Sequence, residues 1–408
     1  MTRRLLSINN YHYRRGGAEV VFLEQNRLFE EIGWEVVPFA MHHPENLPSP
    51  WAGHFVDEIE FGRDYGAFGK AARAAKVIYS REARAKVRRL VELARPDVAH
   101  AHNIYHHISP AILPALKQAG VPLVLTLHDL KLACPSYKML SADRPCERCR
   151  GGRVHNVVVH RCIKGSLPLS ALVMAETLVH RAFGLYEAVD RFVVPSRFYI
   201  DKFAEWGWDR ERFVHVPNAV DVDAFRPAEG AGQGFLYLGR LSPEKGVDTL
   251  IRAAALAGQP VSIAGTGPVL DDLRRLAEQV GAEARFLGHL TGERLHEAVR
   301  AARAVVLPAT WYENAPVSLM EAYALGRPVI GSGIGGIPEL VRAGETGTIV
   351  PPGDAEALAA ELARMAALPD AHLAAMGRAG RAWMRAEFGA SAHRDRLIAL
   401  YESLGARR

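Results

Sequence analysis

The chain has 408 residues, 49% hydrophobic and 23% charged, with a formal net charge of +5 at pH 7. This composition suits a folded protein rather than a disordered or fibrous one, and roughly 150 residues per domain gives two to three domains, each able to bury a core without disulfides. The charge excess is too small to indicate nucleic acid. No apolar run approaches the ~18 residues of a spanning helix, and Arg3 and Arg4 lead into too short an apolar stretch for a signal peptide, so the expected location is the cytoplasm, with the inner face of the membrane as a variant of it.

In chain order, LLSI (5–8), WEVVPF (34–39), DVAHAH (97–102), PLVLTLH (122–128) and RFVVPS (191–196) read as buried strands. Helical spacing covers 19–32, 70–95 and 109–119. The second half repeats the theme, with strands at 234–239, 261–265, 284–288, 304–309 and 327–332 and helices at 246–257, 268–281, 291–302 and 316–325. Alternation of this kind predicts parallel, doubly wound sheets in two α/β domains. The turn-rich run 216–227 and the Gly-rich run 229–234 place the boundary between Ser196 and Gln233. The last 50 residues read as consecutive helices.

The densest chemical signal lies between Ala304 and Asp354. The strand AVVLPA ends in TWYEN (310–314), Pro316 suits a helix start, and Gly326 suits its end. Glu313 then stands just outside a helix N-terminus whose free N–H groups near Val317 and Ser318 favour an anion. Glu321 stands on that helix. Arg240 follows the 234–239 strand and Lys245 precedes the next helix, so two cations share one loop at a strand's carboxyl end. A nucleotide-sugar offers matching groups: a diphosphate for the cations and the helix, sugar hydroxyls for Glu313, and a ribose diol for Glu321.

The runs GRLSPEKG (239–246), E-x7-E between Glu313 and Glu321, GGIPELV (335–341) and GTIVPPGD (347–354) together resemble family 4 of the retaining glycosyltransferases. GGAEVV (16–21), TLHD (126–129), VPS (194–196) and PNAVD (217–221) extend the resemblance through the first half. It implies the GT-B fold: two facing Rossmann-like domains with parallel sheets and a deep cleft between them. Residues 1–196 would form the acceptor-side domain and 197–384 the donor-binding domain, with a C-terminal helix in 385–408 packing back on the first. The resemblance also implies that Glu313 holds the donor sugar's hydroxyls, Glu321 binds ribose, and Arg240 and Lys245 neutralise the leaving diphosphate. Asn314, Ala315, Pro316, Val317 and Ser318 complete the donor loop. Gly16 and Gly17 approach diphosphate and acceptor, and His128 faces the donor sugar. Relatives often read PNGVD where this chain has Ala219, so the local turn is expected to differ.

The reaction the resemblance implies is retaining transfer from a nucleotide-sugar, a UDP-sugar first by the family's usage, to a glycan, a lipid-linked saccharide or a small molecule. No cofactor is required for it: Arg240, Lys245 and the helix dipole supply the charge that a metal supplies elsewhere, and the one Asp-x-Asp spelling, DVD (221–223), lies in the linker run. A sugar-nucleotide epimerase and a non-catalytic nucleotide-binding scaffold are the alternatives. GSGIGG (331–336) fits the dinucleotide-binding pattern but lacks a clear acidic partner.

Three features stand apart. Cys134, Cys146, Cys149 and Cys162 are spaced C-x11-C-x2-C-x12-C in a polar insert (134–162), a candidate structural zinc site with His155 and His160 as alternative ligands; two disulfides or free thiols are the other readings. Residues 63–95 carry ten Lys/Arg against three Asp/Glu, which suits either an anionic membrane surface or an ordinary solvated helix face. His102, Asn103, His106 and His107 follow the third strand and are candidates for the acceptor pocket, or for loop histidines satisfied locally.

Overall fold

A computed structural model of the chain describes residues 2–59 and 66–406. Fourteen strands occur among these residues. β1 (Arg4–Ile8), β2 (Glu35–Phe39), β3 (Val98–Ala101) and β4 (Leu123–Thr126) are followed by a two-residue ribbon, β5 (Leu140–Ser141) with β6 (Arg144–Pro145), and then by β7 (Arg191–Val194) and β8 (Phe213–His215). The second half supplies β9 (Phe235–Leu238), β10 (Val261–Ala264), β11 (Ala284–Gly288), β12 (Ala304–Leu307), β13 (Val329–Ser332) and β14 (Gly347–Val350). They assemble into two six-stranded parallel sheets of order β2-β1-β3-β4-β7-β8 and β11-β10-β9-β12-β13-β14. Helices cover both faces, which is why β3, β4, β9 and β12 are buried at every position. This is the expected pair of Rossmann-like domains.

The crossing between the domains lies inside the expected interval Ser196–Gln233 but later than the division at Ser196. Helix Arg197–Glu205 and β8 belong to the first domain, because β8 pairs with β7 in register Phe192 with Phe213. Val216 packs into the first domain's core and Val220 into the second's, so the crossing falls there and not at Ser196. A three-residue strand containing a histidine carries too little apolar pattern to announce itself. The DVD run is structural: Asp221 caps its own turn, and Asp223 pairs with Arg385. Ala219 is not among the residues with positive φ, so alanine costs this turn nothing.

Three C-terminal helices follow. Asp370–Glu387 stays with the second domain, where Trp383 and Met384 join its core. Ala390–Ser403 returns to the first, packing Leu397, Leu400 and Tyr401 against Leu5, Phe29 and Trp34. The basic segment forms two helices, Ala67–Ile78 and Arg81–Ala94, broken where Ser80 turns extended and its hydroxyl accepts from the Ala83 N–H. Residues 63–65 lie outside the described residues. Lys76 and Lys86 both pair with Glu82, and Val87, Leu90 and Val91 fill the core. Among the described residues no helix is long and apolar enough to cross a membrane.

Candidate functional site

Strand order in the second sheet reverses between β9 and β12, and a crevice opens there at the carboxyl ends. A cavity of about 540 Å³ occupies it, lined by residues that follow β9 (Arg240, Lys245), β10 (Gly265–Pro268) and β12 (Glu313, Pro316, Ser318). Loop geometry brings the two charged groups together. Gly246 holds φ +66 between the turn Pro243–Lys245 and helix Val247–Ala257, and a Cβ there would stand 2.0 Å from the Pro308 carbonyl oxygen. Only glycine lets the β9 loop press on the β12 end. Lys245 Nζ then lies 2.5 Å from Glu313 Oε1 and 5.0 Å from the Trp311 ring centroid. Trp311 Nε1 donates to the same carboxylate oxygen at 2.8 Å. Glu313 is thus held on two sides, with 13% of its side chain exposed. Arg240 is exposed at the cavity's edge, its carbonyl accepting from the Tyr237 hydroxyl at 2.9 Å.

Pro316 is the N-cap of helix Val317–Ala324, in extended conformation, one position earlier than the expected first turn. Val317 and Ser318 therefore open the helix, and Ser318 faces the cavity. Ala315 is buried, with its carbonyl accepting from Asn218 Nδ2 at 3.1 Å. Glu321 is mostly buried, and desolvation pushes its carboxyl up to about 7, with Arg14 of the first domain opposing the rise.

The GSGIGG run serves this loop. A Cβ on Gly335 would lie 2.3 Å from the Glu313 carbonyl oxygen, and one on Gly336 would lie 1.9 Å from that of Asn314. The Gly336 N–H donates to the Glu313 carbonyl at 2.8 Å. These glycines exist because another backbone lies on them, which the spelling alone does not reveal.

Asn314 joins the domains. Its Nδ2 donates to the carbonyl of Leu127 at 3.2 Å, and its Oδ1 accepts from Ser196 Oγ at 2.8 Å. Glu339 adds a second tie, accepting from the N–H groups of Arg197 and Phe198 at a first-domain helix start. His128 reaches the donor loop through the backbone of its own turn and does not line the cavity. Its Nε2 shares a hydrogen bond of 2.9 Å with His102 Nδ1, and the two rings stack. Burial pushes His128 down to about 4, so it is neutral near pH 7. His100 continues the stack and meets the Tyr401 hydroxyl of the returning helix at 2.5 Å.

The other sequence candidates are dispersed. Asn103 is held through its backbone, donating to Asn9 Oδ1. His106 Nδ1 lies 3.5 Å from Glu176, which also pairs with the buried Lys131. His107 accepts from the Ile59 N–H. None of these lines the cavity. Gly16 is the N-cap of helix Gly17–Glu31 in ordinary extended backbone, and Gly17 has open space around it. All four cysteines are free and line one small cavity with His160, while His155 does not reach it. Among the described residues, no group of three or more His, Cys, Asp or Glu stands ready to hold a metal ion.

Sequence models of glycosyltransferase family 4 match residues 15–224, and those of glycosyl transferases group 1 match residues 226–383. The chain belongs to glycosyltransferase family 4. It is 29% identical to the GDP-mannose-dependent alpha-(1-6)-phosphatidylinositol monomannoside mannosyltransferase of Mycobacterium tuberculosis, over 95% of both chains. It is 32% identical to a GDP-mannose-dependent monoacylated alpha-(1-6)-phosphatidylinositol monomannoside mannosyltransferase of Corynebacterium glutamicum, over 53% of this chain and 62% of that one. With further curated relatives the match spans about half of their length. Sucrose-phosphate synthase from Thermosynechococcus elongatus shares the fold, with a TM-score of 0.69 at 20% identity and 99% of both chains covered. The two-domain arrangement is GT-B.

Proposed function

We propose that this family 4 protein transfers a hexose from a nucleoside diphosphate sugar to a lipid- or inositol-linked acceptor, retaining the anomeric configuration and using no catalytic metal. The observation that carries the reading is the convergence of Arg240, Lys245, Glu313 and the start of helix Val317–Ala324 on one cavity. Breaking a sugar–phosphate bond loads negative charge on the diphosphate. Two cations and a helix N-terminus, fixed before the reaction, stabilise that charge with little reorganisation. On donor binding Lys245 exchanges Glu313 for phosphate, which frees the carboxylate to accept from sugar hydroxyls while Trp311 keeps it aimed.

The family's usage alone favours a UDP-sugar. The relatives' names favour GDP-mannose, and that donor is the one proposed. Thermal-shift titration with GDP, UDP, ADP and dTDP tests the choice: GDP should stabilise most, whereas a response to UDP alone would return the carrier to uridine. Proton NMR of the product's anomeric signal tests retention, and an inverted product would remove it.

A further inference from the structure

The insert between β4 and helix Leu167–Ala182 has a sulfur cluster that the transfer chemistry does not use. Cys134, the Cys146/Cys149 turn and Cys162 come from three separate points of a 29-residue stretch, yet all four cysteines line one cavity. The cavity's volume is about 10 Å³, close to the space of one water-sized sphere, and none of the four is in a disulfide. The backbone around it is unusual. Nine non-glycine residues among those described have positive φ, and six of them (Tyr137, Met139, Ala142, Asp143, Arg161 and Lys164) lie in or beside this insert. Left-handed backbone is disfavoured for such residues and persists only where the surroundings impose it. The insert has few means to impose it by packing: between Pro135 and Gly165 only Met139, Val154 and Val157 are buried apolar side chains besides cysteine.

We propose that these four cysteines bind one Zn²⁺ tetrahedrally and that the ion is the staple of the insert. Four S–H protons pass to solvent as four Zn–S bonds of about 2.3 Å form, with no electron transfer. Arg148, at the rim of the same cavity, offsets the net negative charge of a four-thiolate site. The thiols are not already drawn into a coordination shell, so they close on the ion as it binds. His160 lines the cavity and is the alternative nitrogen ligand.

What the staple holds in place is visible in the insert's outward contacts. Glu147, inside the C-x2-C turn, accepts from the Tyr312 hydroxyl at 3.0 Å and from Lys202 Nζ at 2.8 Å. Lys138 Nζ donates to Glu244 Oε1 at 3.0 Å. Tyr312 precedes Glu313 and Glu244 precedes Lys245, so the insert touches the neighbours of both members of the donor-site pair.

Elemental analysis of the full-length protein, purified without chelator, tests the site independently of any turnover. The proposal expects about one zinc per chain, loss of that zinc in Cys146→Ser/Cys149→Ser, and a thiolate-to-metal charge-transfer band after replacement by Co²⁺. The zinc content and cobalt spectrum of the unmutated protein decide the matter even if the double variant does not fold. Metal-free, folded protein whose four thiols alkylate readily would overturn it, as would a cobalt spectrum lacking thiolate character.

Discussion

Lys245→Met removes the cation nearest Glu313 while keeping most of the side chain's length. Lys245 is only a quarter exposed and stands 2.5 Å from Glu313 Oε1, so its charge acts in a partly desolvated cavity. Removing one fixed group that stabilises transition-state charge costs ~100–1000-fold in kcat, about 2.7–4 kcal/mol. Arg240 remains in the same cavity, which places the expected loss nearer 100-fold. Stability should change by only about 1 kcal/mol, the upper range for an ion pair that water partly reaches, because Trp311 still donates to Glu313. The assay is nucleotide release from GDP-mannose with acceptor present, run beside a thermal melt. Lys245→Arg keeps a positive charge on a wider head and should recover part of the rate. A folded Lys245→Met protein that keeps kcat within about fivefold would refute charge stabilisation by this residue.

Other consequences follow from neighbouring groups. Glu321, with its carboxyl raised to about 7, binds a proton in the folded state that the unfolded chain gives up near pH 4.5, so its burial destabilises the fold progressively as pH rises from there through 7. Glu321→Gln should therefore gain about 2 kcal/mol more relative to the parent at pH 8 than at pH 5 in urea unfolding, and an equal gain at both pH values would contradict the assignment. Gly336→Ala places a Cβ 1.9 Å from the Asn314 carbonyl oxygen and 2.8 Å from Ser196 Cβ; expected are a loss of ~1–3 kcal/mol and weaker nucleotide binding by calorimetry, and unchanged binding would sink the role given to the glycine run. Glu147→Ala leaves the cysteines intact but frees the Tyr312 hydroxyl, so donor KM should rise with zinc content unchanged; a normal KM would detach the insert from the donor loop.

The strands with continuous apolar runs, such as FLYL in β9 and AVVL in β12, were readable because a parallel sheet buried on both faces has nowhere to put polar groups. β8 and β14 escaped: one has three residues, and the other opens on glycine. Helix Leu167–Ala182 escaped because Leu167, Leu169 and Leu178 remain exposed, which blurs its apolar face. The break at Tyr79–Ser80 carries neither glycine nor proline, so 70–95 read as one helix. At the site, Arg240, Lys245, Glu313 and Ser318 were legible because strand ends in such sheets converge on one crevice. The hydrogen bond from Trp311, the influence of Arg14 on Glu321 and the backing of Asn314 by Gly336 were not, since each depends on which loop lies against which.

The most direct test of the central claim is transfer from radiolabelled GDP-mannose to a lipid extract, with no added divalent cation and with EDTA under conditions that leave bound zinc in place. Labelled lipid product at the rate seen with Mg²⁺ is expected, with its loss in Glu313→Ala and Lys245→Met. Transfer that requires Mg²⁺, or that survives both substitutions, would contradict it.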